Sequence, residues 1–547
     1  MVYIAQAALS LLSLSRLPWS SQTEPEDQKP VAIPSVNSPV QNATKSIAIV
    51  GAGSGGLAIL KTLLDLPQDV RAGWNIVLFE QKREVGGVWL PDAHAPRPPT
   101  LPETPLYPRL HTNTPHPTMT YPGYTFPPGT PLFPSHEYVK QYHVDFAKEF
   151  NLGRHLRLNH TVVAAGWVGS NTQGKWLVDV AKVEDGEGVG ETVQHSFDHL
   201  IVANGHNHYP RIPHWKGEDE WLASTPAGRP KRELLHSIFY REPEAYVNRT
   251  VVIVGGGASG RDAALQVGPV TTTYHSLKEG SAPPEGAQVI PKPPISHFTS
   301  DAIVFEDGTS LTSVDALILA TGYQFLVPFL SKIPQNSNLT RPTLVTAPNT
   351  AATSDTADAL TTNTRYIFPL YEHIFGIAPG IPPTALTFIG LPVLIANCPS
   401  DIAQALLVSQ AIADPSVLPA HDEMLSATLE REDALRERGL DPYYVGHHMS
   451  GGDDEAQGYQ NELVRFLKKR GRLPDDGKDY VEPWRVMARK DSRLLARAWS
   501  RVEELGEQKR WLEGAVTEQE WAKVMYRLAE WQRQWEEEHG QSVDTYA

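Results

Sequence analysis

The chain of 547 residues contains a single cysteine, Cys398. One cysteine excludes an intramolecular disulfide, a CxxC redox pair and a metal site built from several thiolates. Any redox chemistry is therefore carried by something other than protein thiols. Long apolar runs are also missing. No stretch approaches the ~18 consecutive apolar residues of a spanning helix. The leader at residues 2–14 is apolar but short, and it lacks the Lys or Arg of a secretory n-region. The expected location is cytoplasmic, with a secretory or ER leader as the alternative. N-x-S/T triplets at Asn42, Asn159, Asn248 and Asn338 add little, because such triplets arise by chance in a long chain. An excess of positive charge is the third absence. Lys+Arg 48 against Asp+Glu 63 leaves a net −15, which argues against a nucleic-acid binder held by phosphate contacts.

What remains is an ordinary globular composition, 41% hydrophobic and 20% charged, with length for roughly three to four domains. Proline is abundant at 46 residues. Residues 1–44 read as a leader and a Ser/Pro/Gln/Glu-rich linker. Residues 91–134 hold most of the prolines and cannot form a regular helix or a central strand. Such a long irregular excursion inside a compact domain is usually functional. Residues 341–364 read as a surface insertion. Residues 471–547 read as a charged helical tail in which Trp521, Val524, Leu528, Trp531 and Trp535 share one face.

Two strand–glycine–helix units recur. SIAIV is followed by Gly51, Ala52, Gly53, Ser54, Gly55 and Gly56, and TVVIV is followed by a second box containing Gly255, Gly257 and Gly260. In G-x-G-x-x-G the first glycine makes the tight turn, the second admits a pyrophosphate and the third allows close helix–strand packing. The helix N-terminus then offers N–H groups to the anion. Glu80 ends the next strand, where a ribose-binding carboxylate belongs. Gly86, Gly87, Val88 and Trp89 follow, an extension more typical of FAD than of NAD sites. After the second box the corresponding position is not acidic. Ser276 and Lys278 stand there, a hydroxyl and a cation suited to a 2′-phosphate, so NADPH is favoured over NADH. Two such sites imply hydride transfer from NADPH to FAD. No metal is expected: His206–His208 lack metal-site company, and His447–His448 lie in a Gly/Asp-rich loop and are expected to be solvated.

Together these motifs resemble the flavin-containing monooxygenases, from about Lys45 to Arg470. LLHSIFY keeps His236 and Tyr240 of the family's F-x-G-x-x-x-H-x-x-x-F/Y marker, while Pro230 and Arg232 replace its Phe and Gly. YPRLHTN is similar to the family's Y-x-x-L-x-T-N segment, so Thr112 and Asn113 are expected against the flavin and nicotinamide. Asn113 is the expected catalytic residue, a donor toward a developing oxygen anion. Ser259, Gly260, Arg261 and Asp262 match a NADP-contacting S-G-x-D, and ATGY at 320–323 looks like the family's strand return to the flavin domain. Gln404 matches the segment closing over the flavin, with Ile402 where an acid is usual.

The resemblance implies an α/β fold of two Rossmann-like dinucleotide-binding domains, the NADP domain inserted in the FAD domain, with a helical C-terminal tail. The expected boundaries are 45–213 and 312–470 for FAD and 214–311 for NADP. In that family NADPH reduces FAD, dioxygen adds at the flavin C4a, and the hydroperoxide passes oxygen to an amine nitrogen or a sulfide sulfur. Ketone oxygenation, a non-oxygenating flavin reductase and a degenerate nucleotide-binding protein remain alternatives. The partners implied are a small substrate and dioxygen, with a homodimer as the expected assembly if there is one.

Overall fold

A computed structural model describes residues 44–92, 98, 100–169, 173–183, 189–330, 343–345, 360–450 and 454–540. The expectations for the leader and linker, and for most of the 341–364 insertion, lie outside the described residues, as do residues 93–97 and 99 of the proline-rich stretch.

Apolar four- to six-residue runs that end in glycine form the centre of two sheets. In the first, strand Lys45–Val50 lies between Trp74–Phe79 and His199–Val202, parallel to both. Leu156–Arg157 extends one edge, and Leu386–Phe388 continues the other in parallel. The hairpin Leu370–Tyr371 and Phe375–Gly376 completes seven strands. Ile47, Ala48 and Ile49 are fully buried, as expected of a parallel strand covered on both faces. Helix Ser54–Asp65 covers one face, packed beside helix Asn397–Ala413.

The second sheet has five parallel strands, ordered Ile290–Lys292, Thr273–Ser276, Val251–Val254, Ala316–Leu319 and Glu233–His236. Here the structure corrects the sequence reading. The expected boundary at 312 places strand Ala316–Leu319 in the returning segment 312–470, yet it pairs with Val251–Val254 and Glu233–His236. A buried apolar run is equally suited to either parallel sheet, so its composition could not decide between them. The chain leads into and out of this sheet through one antiparallel pair, Tyr209–Pro210 with Tyr323–Gln324. Residues 211–322 are thus an insertion closed at its base.

The tail folds onto the proline-rich stretch. Helix Glu518–Glu538 starts with a reciprocal Thr517–Glu520 capping box. It buries Trp521, Val524 and Leu528 together with Leu132 of the stretch. Arg485 donates from Nη1 to the Pro117 carbonyl at 2.9 Å and from Nη2 to Glu518 at 2.5 Å. The His116 ring lies between Phe126 and Trp521, with centroids 4.7 and 4.4 Å away. Proline forbids regular hydrogen bonding in this segment, so these side-chain contacts and a short turn at His116–Met119 fix its path instead.

Candidate functional site

The two glycine boxes divide their labour identically. Gly51 and Gly255 have φ of +102° and +113°, and a Cβ on either would lie 2.4 Å from a neighbouring strand's carbonyl, that of Ala203 or Ala320. Only glycine fits there. A Cβ on Gly56 would meet the Gly51 carbonyl at 1.8 Å, and one on Gly260 the Gly255 carbonyl at 2.0 Å, which fixes close helix–strand packing. The middle glycines differ. A Cβ on Gly53 would have only ordinary contact with Gly87 Cα at 3.6 Å, and one on Gly257 would have nothing within 4 Å. Neither helix has a side-chain cap at its N-terminus. Its first N–H groups therefore face the open space above the middle glycine.

Glu80 is buried beside the first box. Its Oε2 accepts from the Ala52 N–H at 2.6 Å and its Oε1 from the Lys82 N–H at 2.8 Å. Burial pushes its carboxyl up, and the two N–H donors oppose that rise. Gly86 and Gly87 have positive φ, and a Cβ on Gly87 would lie 2.9 Å from Gly53 Cα. The 86–89 turn therefore passes directly over the box, with Trp89 partly buried against the core. Lys82, which belongs to none of the motifs, is buried here. Its Nζ donates to the carbonyls of Gly87 at 3.1 Å and Glu103 at 2.8 Å, tying the turn to the proline-rich stretch. Val88 is held to the same stretch through its carbonyl and the Thr104 hydroxyl.

The Y-x-x-L-x-T-N segment leads to the second box. The Tyr107 hydroxyl donates to Asp262 Oδ2 in helix Ala258–Val267, and Gln266 donates to the same oxygen at 3.3 Å. Burial, followed by the Asp262 charge, pushes the Tyr107 phenol far up. Tyr240 stacks edge-on against Tyr107 at 5.2 Å and donates to Gln266 at 3.0 Å. His236 accepts from the Ile238 N–H at Nδ1, so Nε2 carries the proton that it donates to the Gly322 carbonyl at 3.0 Å. The marker's His and Tyr are therefore joints between segments. Arg232, at the marker's glycine place, is buried and donates to the carbonyls of Trp221, Ser300 and Asp301. It secures the inserted sheet, which accounts physically for that departure.

Further along the segment, Thr112 is buried with its Oγ1 unpartnered among the described residues. Asn113 is exposed, and its amide makes no hydrogen bond within the described chain. Ser259 and Arg261 are half-buried on the first turn of the second helix.

Two expected contacts are corrected. Ser276 is buried and its hydroxyl donates to the Pro293 carbonyl at 2.8 Å, so it turns into the sheet instead of toward a phosphate. Lys278 is exposed beside it. Its Nζ donates to the Tyr444 hydroxyl at 3.1 Å, while the Arg365 guanidinium sits 4.1 Å from that ring. The hydrogen bond from Lys278, then the charge of Arg365, draws the Tyr444 phenol below its usual range. Gln404 is fully buried, with Oε1 accepting from the Gly390 N–H at 2.9 Å and Nε2 donating to the Tyr459 hydroxyl at 2.8 Å. A side chain with no accessible surface is a brace for the Gly390 turn, not a ligand contact.

The acid sought at Ile402 is one residue earlier. Asp401 is buried beside Gly390, and its Oδ2 has no partner among the described residues. Burial pushes its carboxyl up to about 7. His447, expected in solvent, is fully buried. Its Nε2 accepts from the Ile367 N–H at 3.0 Å, and its Nδ1 lies 2.8 Å from His373 Nδ1.

These features fit two dinucleotides. An open cradle lies above an uncapped helix start at Gly53 and again at Gly257, with a buried carboxylate at the first and an exposed cation at the edge of the second. No helix among the described residues is long and apolar enough to cross a membrane.

Comparison with known proteins agrees. The chain is 28% identical over 412 residues to flavin-containing monooxygenase FMO GS-OX-like 8 of Arabidopsis thaliana, covering 72% of this chain and 80% of that protein. It is 29% identical over 440 residues to senecionine N-oxygenase of Tyria jacobaeae, covering 75% and 83%. The structure of S-allyl-L-cysteine S-oxygenase from Allium sativum shares the fold, with a TM-score of 0.64 at 24% identity over 89% of this chain and 99% of that one. Residues 44–281 and 286–340 match the family described as flavin-binding monooxygenase-like, and with more than half of its length in that match the chain belongs to the family: it is a flavoprotein monooxygenase.

Proposed function

We propose that the protein is an NADPH-dependent enzyme that uses FAD to insert one atom of dioxygen into a soft nucleophile, an amine nitrogen or a sulfide sulfur, the second atom leaving as water. The observation that carries this reading is the hydrogen bond from Tyr107 to Asp262. It ties the segment bearing Thr112 and Asn113 to the helix that follows the second open box, so one strap serves both cofactors. The relatives named as N- and S-oxygenases support the substrate class. On this reading segments 45–210 and 323–470 hold FAD and the inserted 211–322 holds NADPH.

Bound FAD supplies the redox chemistry, accepting hydride from NADPH and reacting with dioxygen. The protein's part is position and electrostatics. N–H groups at the starts of the two helices would hold the pyrophosphates, and Glu80 would accept from ribose hydroxyls through its remaining lone pairs. Lys278, now donating to the Tyr444 hydroxyl, would supply the cation for the 2′-phosphate. Asn113 Nδ2 offers a donor to a reduced oxygen species, and the buried Thr112 hydroxyl offers a second. Donors aimed at developing charge in a site shielded from water are worth far more than in bulk. Asn113 is exposed on the proline-rich stretch, so on this reading the bound cofactors would complete its cover.

The deciding measurement is the stoichiometry of NADPH oxidised, oxygen consumed and product formed with a panel of amines and sulfides. A one-to-one-to-one ratio is expected with at least one class. NADPH oxidation that yields only hydrogen peroxide with every compound would leave a reductase in place of an oxygenase.

A further inference from the structure

A cavity of about 410 Å³ lies between helices His421–Glu437 and Glu455–Lys469 and the tip of the 370–376 hairpin. That is within the usual range for small-molecule sites. The tip itself is unusual. Ile374 N–H bonds back to the Tyr371 carbonyl at 3.0 Å, and the two central residues, Glu372 and His373, have φ of +53° and +56°. A two-residue turn of this type favours Asn-Gly, and in a non-glycine pair this backbone is costly. Here it is held by a buried framework. His447 accepts at Nε2 from the Ile367 N–H, so its Nδ1 carries the proton given to His373 Nδ1. The Tyr459 hydroxyl donates to the Glu372 carbonyl at 2.7 Å. The outcome is that the Glu372 side chain is brought to the cavity wall. Its carboxylate meets no hydrogen-bond donor among the described residues, and surrounding protein pushes its carboxyl up to about 7.

The remaining wall is acidic and aromatic. Asp454, Glu455 and Glu462 line it, with Arg431, 3.8 Å from Glu455, as the one cation among the described residues of the wall, and Tyr366, Tyr371 and Tyr459 supply ring surface. An unpartnered carboxylate among tyrosines, with net negative charge, is the chemistry that recognises an organic cation. We propose that this cavity is a binding site for a small organic ammonium ion, with Glu372 as its counter-ion. The site stands whether or not the protein oxygenates amines or sulfides.

The pH behaviour follows from the groups that face Glu372. Glu462 on one helix raises its carboxyl further, and Arg431 on the other lowers it. His373 and His447 are held neutral by burial, and Tyr459 stays protonated. Glu372 is thus the group that changes charge near neutrality, and affinity for the cation rises as pH increases from 6 to 8.

Choline is the probe, titrated calorimetrically into the FAD-loaded full chain. Its quaternary nitrogen has no lone pair, so it cannot be N-oxygenated and its heat is not turnover. Its neutral isostere 3,3-dimethylbutan-1-ol is the control. Saturable one-to-one binding is expected, several-fold tighter at pH 8 than at pH 6 and at least tenfold tighter than for the alcohol. Glu372→Gln is expected to weaken choline at least tenfold. A second variant does not disturb the strained turn. Gly458 lines the cavity on a helix, and a Cβ there meets nothing within 4 Å. Gly458→Phe should fold, fill the cavity and abolish the binding. No saturable choline binding, equal binding of the alcohol, or unchanged binding in a folded Glu372→Gln or Gly458→Phe protein would each overturn the proposal.

Discussion

Gly53→Ala separates the roles within the first glycine box. The residue has extended backbone, φ −78° and ψ −166°, which alanine adopts freely. Its new Cβ would touch only Gly87 Cα at 3.6 Å. The apoprotein should therefore unfold within about 1 kcal/mol of the parent, the usual range for glycine replacement at a compatible site. Flavin binding should behave differently. The methyl group would stand in the open space where the helix N–H groups receive a pyrophosphate. Displacing the anion by a methyl radius would lose one or two hydrogen bonds to a charged group, each worth about 1.5–3 kcal/mol. That corresponds to FAD binding weaker by roughly tenfold to about 2 × 10⁴-fold. Titration of deflavinated protein by flavin fluorescence, beside chemical denaturation of the same samples, reads both quantities. Gly56→Ala is the contrast: its Cβ would lie 1.8 Å from the Gly51 carbonyl, so the fold itself should lose about 1–3 kcal/mol or more. FAD affinity within threefold of the parent in Gly53→Ala would refute the assignment of the cradle.

On the proposed reading Lys278→Ala should raise KM for NADPH at least tenfold and leave KM for NADH little changed, because the cation now held by the Tyr444 hydroxyl would pair with the 2′-phosphate that NADH lacks. An unchanged ratio in steady-state kinetics would contradict that placement. Tyr107→Phe removes the donor to Asp262 and should slow flavin bleaching by NADPH in stopped-flow absorbance while FAD content stays stoichiometric; equal bleaching rates would break the strap argument. His116 has both ring nitrogens unpartnered among the described residues, and burial pushes it down to about 3. A histidine depressed in the folded state contributes stability that is full above its ordinary value near 6.5 and is lost as pH falls toward about 3. The slope is about 1.4 kcal/mol per pH unit. Denaturation of His116→Phe at pH 7, 6 and 5 should show that slope reduced by one proton's worth, and an unchanged pH dependence would refute it.

The legibility of this chain in its sequence follows the range of the forces involved. The box glycines are readable because a positive φ, or a carbonyl 1.8 Å from a would-be Cβ, is a local demand that only glycine meets. Tyr107, His236 and Tyr240 are readable by resemblance, although their function as joints is not. Lys82, Asp401 and His447 escape because their burial appears only once separate turns fold over them (86–89 and Glu103, Gly390, and His373 with Ile367), while their immediate neighbours look like loop or surface. Gln404 and Ser276 show the converse. The residue type suits a ligand, but partners brought together by folding have already taken the hydrogen-bonding groups. Arg232 looked like a lost marker because the sequence does not display the three carbonyls that gather around it.

The clamp between tail and proline-rich stretch also has a consequence in time. Arg485 and Pro117 are separated by 368 positions. At about 5–20 residues per second of synthesis, the stretch waits on the order of half a minute for its cover. Until then Leu132 and the surroundings of His116 have no Trp521 to pack against. During that interval the apolar surface of the stretch stays open to non-native contacts, and a ribosome stalled before residue 484 leaves it uncovered.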